Sequence, residues 1–246
     1  MVMSAGRFSG GEILGVWARW FGAMLVLLFV AVTSAQAQGG GHRAPGFSEL
    51  PKGSKILIAP LDVELFSVSA GGVLEPKADW TERAQRNFKA ALEKQSARWE
   101  LSTQRMAADD ADAHAEALAL QAAVAQALSV HHVGFLKLPT KAGQLSWSLG
   151  EAMTPIREAT GARYGLFVWV RDSYASPERV AMMIGLALLG VGVGGGMQVG
   201  YATLVDLESG QVLWFNQLIR GHGDLREPEP AAESVGALLA GFPSPK

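Results

Sequence analysis

The chain has 246 residues, of which 49% are hydrophobic and 18% charged, and a formal net charge of −2. That length suits one large domain with ample core material, and so mild an acidic balance offers no basic footprint for nucleic acid. Cysteine is absent, which excludes disulfides, thiolate nucleophiles, thiolate metal sites and the lipid attachment point of a bacterial lipoprotein.

The first 37 residues read as a secretory signal peptide. Arg7 and Arg19 precede the apolar run Phe21–Val32, and a small-residue stretch ends in Ala35-Gln36-Ala37, an A-x-A cleavage pattern. The run is shorter than the 18 to 20 residues that span a bilayer as a helix. Cleavage after Ala37 leaves 209 residues and, with two arginines and Glu12 removed, a net charge of −3. The expected location is the periplasm.

Residues 38–54 are rich in Gly, Pro and Ser and read as a flexible leader. A single α/β domain is expected over 55–246. Its first strand is Lys55–Leu61, apolar and β-prone, and Asp62–Ser69 alternates as a half-exposed extension. Asp79 and Glu82 have the spacing of a capping box, and Trp80, Ala84, Phe88 and Leu92 form one apolar helical stripe. Arg98–Ser102 is a short strand candidate. Alanine-rich Asp109–Leu128 predicts a helix, and Val133–Leu138 another strand. Pro139–Trp147 is loop-like. A helix over about 150–159 stops at Gly161, which reads as its C-cap glycine.

Tyr164–Val170, aromatic and β-branched, predicts the central strand. Ser176-Pro177 opens a second helix, with serine as cap and proline at the first helical position. A glycine tract follows. Gly200–Asp206 and Gln211–Ile219 flank a turn at Gly210 and predict a hairpin. A last helix opens at Glu229-Pro230. The fold class expected is α/β: a mixed β-sheet layered with helices, ending in a β-hairpin and a C-terminal helix.

This order, with Ile58-Ala59-Pro60 closing the first strand and Asp206–Trp214 forming a late D-L-E-S-G-Q-V-L-W hairpin, resembles a group of bacterial envelope proteins. The group includes the amino-terminal domain of TolB and the globular domain of the curli-secretion channel protein. The chain also resembles uncharacterised exported proteobacterial proteins through Leu138–Lys141 (LPTK) and Gly223–Arg226 (GDLR). The resemblance implies an exported, non-enzymatic interaction or assembly module whose partner is another envelope protein or component. It carries no catalytic set and implies no cofactor.

Two segments are candidate binding sites. Arg171, Asp172, Ser173 and Tyr174 follow the central strand, and ligands of open α/β sheets gather outside the strands' carboxyl ends. His222, Asp224 and Arg226 lie in a glycine-flanked loop after the last strand. His222 and Asp224 also allow a rival reading, a metal-dependent or hydrolytic enzyme, although no G-x-S-x-G elbow accompanies them. His131-His132 would point to opposite faces of a strand and so not chelate together. Gly190–Gly195 matches G-x-G-x-x-G, but helix precedes and strand follows it, the reverse of a dinucleotide site. Val180–Val199, uncharged and with Gly-x-x-x-Gly spacing at Gly192 and Gly196, carries a further alternative, membrane contact by insertion.

Overall fold

The computed structural model describes residues 42–245, so the expected signal peptide and its cleavage site lie outside the described residues. The strands are β1 (Lys55–Ile58), β2 (Asp62–Val68), β3 (Leu74–Pro76), β4 (Ser102–Arg105), β5 (Tyr164–Ala175), β6 (Gln198–Asp206) and β7 (Val212–Arg220). The helices are α1 (Ala78–Ser96), α2 (Ala108–Ala113), α3 (Ala115–Leu128), α4 (Thr154–Thr160), α5 (Pro177–Leu188) and α6 (Pro228–Leu238). The mixed α/β architecture read from the sequence, with its hairpin and C-terminal helix, is the one observed.

The long β5 organises the sheet. On one side it pairs with antiparallel β6, which pairs with antiparallel β7. On the other side β1 and β2 lie end to end along it, both parallel, with Ala59-Pro60-Leu61 between them. Proline lacks the N–H a ladder needs, so the break falls there. β4 continues the parallel sheet beyond β1, and short antiparallel β3 edges β2.

Alternation along β5 assigns its side chains to two faces. Leu166, Val168 and Val170 face a core built with Phe88 and Leu92 of α1 and Val235 and Leu238 of α6. Phe167 faces the opposite core with Ala125 and Leu128 of α3 and Ile156 of α4. The sheet is thus the middle of three layers. Fully burying each large apolar side chain stabilises the fold by about 1.5–3 kcal/mol, and Phe88, Leu92, Leu128 and Ile156 are all 0–1% exposed.

The hairpin turn is held by Asp206, whose Oδ1 accepts from the Glu208 amide at 2.9 Å, while Gly210 takes a left-handed φ of +68°. Ser176 caps α5, its Oγ accepting from the Arg179 amide, and Pro177 takes the first helical position. Gly161, at φ +63°, ends α4.

Several expectations fail locally. The leader does not stay free: the His42 carbonyl accepts from Phe215 N, Ala44 N donates to the Leu213 carbonyl, and Leu50 is buried in the core. Residues 42–44 cover the open edge of β7, which gives this polar segment backbone partners its composition does not advertise. Asp79 is not the cap of α1. The helix opens at Ala78 behind Lys77, with no side-chain cap, and Asp79 sits in the first turn, where its charge suits the helix dipole. The strand expected at Arg98–Ser102 forms at Ser102–Arg105, because Trp99 turns inward to stack on Phe242 at 4.0 Å. Val133–Leu138 is not a strand. A π-turn at Ser129–Val133 ends α3, and Phe135 is left fully exposed.

Candidate functional site

β5 runs five residues beyond its expected end, so Arg171–Tyr174 is strand and not an exposed turn. Pleating then divides the four candidate residues. Arg171 turns to the α3 side, where it pairs with Asp62 at 2.6 Å and Glu64 at 3.2 Å and lies over the Trp169 ring at 4.8 Å. Asp172 and Tyr174 turn to the α1 side. Ser173 spends its hydroxyl on the neighbouring backbone, donating to the Met197 carbonyl and accepting from Met197 N.

Asp172 is 2% exposed. Its Oδ1 accepts from Ser173 N at 2.9 Å, and its Oδ2 accepts from Gln198 Nε2 at 2.9 Å and from the Tyr174 hydroxyl. Burial pushes this carboxyl above the ordinary aspartate range, although the hydrogen bonds pull the other way. Burial, then the bond to Asp172, pushes the Tyr174 hydroxyl far up, so it stays protonated and donates.

The Tyr174 oxygen in turn accepts from Leu225 N at 2.9 Å. One phenol therefore ties β5 to the loop that holds the second set of candidates. In that loop Arg226 forks onto Asp224, at 2.8 Å from Nε and 2.7 Å from Nη2, and lays its guanidinium over Tyr174 at 4.1 Å and Trp80 at 4.5 Å. Burial pushes the Asp224 carboxyl up, but the hydrogen bonds and charge of Arg226 outweigh it and hold the carboxyl below its usual range. Asp224 and Arg226 thus form a local ion pair within the loop. His222 Nε2 meets Arg220 Nη2 at 2.9 Å, and Arg220 reaches Glu233 at 3.6 Å.

The structure therefore brings Asp172, Ser173, Tyr174 and His222 to one pocket of about 150 Å³ at the carboxyl end of β5, with Asp224 and Arg226 beside it, and separates Arg171 from them. Gly195, Gly196 and Gln198 are also in its wall. Sequence reasoning missed Gln198. Its signal was available: it is the sole polar side chain between Val180 and Gly200.

Beside the pocket stands α5 with the glycine tract that follows it. No residue from Val180 to Val205 is charged. Ile184 is 60%, Leu188 84% and Leu189 78% exposed, and Val180, Val191 and Met197 are also exposed. Arg179 closes the base of this projection. Its Nε and Nη2 donate to the Gly194 carbonyl at 3.0 and 2.8 Å, and its Nη1 donates to the Ser69 carbonyl at 3.2 Å. The helix has 12 residues, and no helix among the described residues is long and apolar enough to cross a membrane.

No family model and no curated protein matches the chain. Solved structures do. The chain is similar to the PelC dodecamer from Paraburkholderia phytofirmans at 13% identity and a TM-score of 0.40, over 81% of this chain and 94% of that one. It is similar to the LpoB C-terminal domain from Salmonella enterica at 14% identity and a TM-score of 0.28, over 74% and 98%. It is also similar to lipoprotein GNA1162 from Neisseria meningitidis at 13% identity and a TM-score of 0.27, over 68% and 81%. Likeness at this level does not place the chain in a family.

Proposed function

We propose that this protein is exported to the periplasm and serves there as a non-enzymatic docking module that contacts another envelope component through the α5 projection. The observation that carries the reading is the bare apolar surface of that projection. Exposing Ile184, Leu188 and Leu189 forgoes about 1.5–3 kcal/mol of burial apiece, and contiguous apolar surface of this sort marks an interaction site. Arg179 fixes both ends of the segment, so the surface is presented in one shape before any partner arrives.

The signal-peptide pattern of residues 1–37 and the resemblance to TolB-like and curli-channel domains support the envelope setting. The candidate catalytic pair supports a non-enzymatic role, because Arg226 engages Asp224 and Arg220 engages His222. A 12-residue helix reaches about 18 Å at 1.5 Å per residue, short of a hydrocarbon core of about 30 Å. Docking therefore accounts for the exposed surface better than insertion of Val180–Val199 does.

The test joins two measurements. Amino-terminal sequencing of periplasmic protein is expected to begin at Gln38. In-cell crosslinking is expected to give a discrete adduct that the double variant Ile184→Asp, Leu188→Asp loses while keeping its thermal melt. An unprocessed cytosolic chain, or an adduct indifferent to both aspartates, refutes the reading. Retention of the protein in carbonate-washed membranes would favour insertion instead.

A further inference from the structure

The pocket at the carboxyl end of β5 holds about 150 Å³, room for about five water molecules at roughly 30 Å³ each. Its chemistry is one-sided. The hydrogen bonds to the buried Asp172 carboxylate come from neutral donors, among them the Ser173 amide, the Gln198 amide and the Tyr174 hydroxyl. The nearby arginines are committed elsewhere, Arg226 to Asp224 at 2.7 Å and Arg220 to Glu233 at 3.6 Å. Among the described residues no ion pair reaches Asp172.

Gln198 adds an acceptor that is unanswered. Because a carboxylate oxygen only accepts, its contact with Gln198 Nε2 fixes which way round the amide lies. Oε1 is then buried in the pocket wall with no hydrogen-bond partner, on a side chain only 2% exposed. Bare backbone at Gly195, Gly196, Gly221 and Gly223 forms part of the wall. At Gly196 a Cβ would stand 1.9 Å from the Ser173 carbonyl oxygen, so a side chain cannot take that wall without displacing the strand.

We propose that this pocket binds the ammonium group of a primary amine, such as a lysine side chain on the partner that covers α5, with Asp172 as counter-charge and Gln198 Oε1 accepting a second N–H. An ammonium carries three donors and no acceptor, which matches a carboxylate whose hydrogen-bond donors are all neutral beside an amide oxygen lacking a donor. Who bears the amine rests on the docking reading; the pocket's preference for an amine does not.

The test is a titration of the purified protein with methylammonium and butylammonium chloride, read by NMR at the Gln198 side-chain amide and the Gly196 and Gly223 backbone amides. Tetramethylammonium chloride at matched ionic strength is the comparison, since it has the charge but no N–H. Saturable shifts with both primary amines and none with tetramethylammonium are expected, with affinity at least about tenfold weaker in Asp172→Asn and Gln198→Met. The wild-type comparison stands if either variant fails to fold. Overturning results are no saturable response to the primary amines, as for an acceptor that holds only water, or an equal response to tetramethylammonium. Crosslinking through α5 without amine binding would sink the pocket and spare the docking reading, and the opposite pattern would do the reverse.

Discussion

Replacing Tyr174 with phenylalanine isolates the tie between the central strand and the candidate loop. The ring stays, so the contacts to Arg226 at 4.1 Å and to Trp80 at 5.9 Å persist and no cavity opens. What disappears is one oxygen with two jobs: donating to Asp172 and accepting from Leu225 N at 2.9 Å. Leu225 is fully buried, so its N–H loses the phenol oxygen at a place out of reach of water. A neutral hydrogen bond contributes about 1 kcal/mol net, and one to a charged group about 1.5–3 kcal/mol. Tyr174→Phe should therefore destabilise the loop by roughly 2–4 kcal/mol. At 1.36 kcal/mol per tenfold, that is a rise of about 30- to 1,000-fold in exchange of the Leu225 amide, measured by native-state hydrogen exchange. Exchange at Leu225 within threefold of wild type would refute the clamp.

Other predictions test the core, the turn and the buried carboxylate. Phe88→Ala should lower stability by about 3–5 kcal/mol in urea unfolding, since Phe88 is 1% exposed between α1 and the sheet. Gly210→Ala meets a left-handed φ of +68°, worth about 1–2 kcal/mol against a side chain, and a Cβ 2.1 Å from the Gly150 carbonyl oxygen. Its melting temperature should fall, and wild-type melting would refute the turn geometry. Asp172 titrates above its unfolded value of 3.8, so the folded state binds more protons across the window that opens there. Stability must fall as pH rises through that window. Asp172→Asn removes this contribution, so wild type should lose ground to the variant as pH increases. A gap that stays constant or moves the other way would contradict the assignment.

Much of the layered fold was legible because it is written in periodicity. The uncharged aromatic and β-branched run Tyr164–Val170, the apolar stripe of Ala84, Phe88 and Leu92, and the turn at Gly210 each carry a local physical signal. The errors arose where tertiary contacts overrode local preference. Val133–Leu138 is β-prone, yet its first residue is taken up by the turn that ends α3, and Phe135 and Leu136 lie exposed. Residues 42–54 look unable to bury anything, but Leu50 finds the core and the His42–Ala44 backbone finds β7. At the site, the residues of the Asp172, Tyr174 and His222 segments were named from the sequence, while their convergence was not. It depends on β5 extending to Ala175, which puts Arg171 and Asp172 on opposite faces.

The docking claim is tested most directly by placing a photo-crosslinking amino acid in living cells at Leu188, on the α5 projection, and at Glu82, on the outer face of α1. The account predicts one discrete envelope-protein adduct from Leu188 and none of that mass from Glu82. The same adduct from both positions, or none from Leu188, would contradict it.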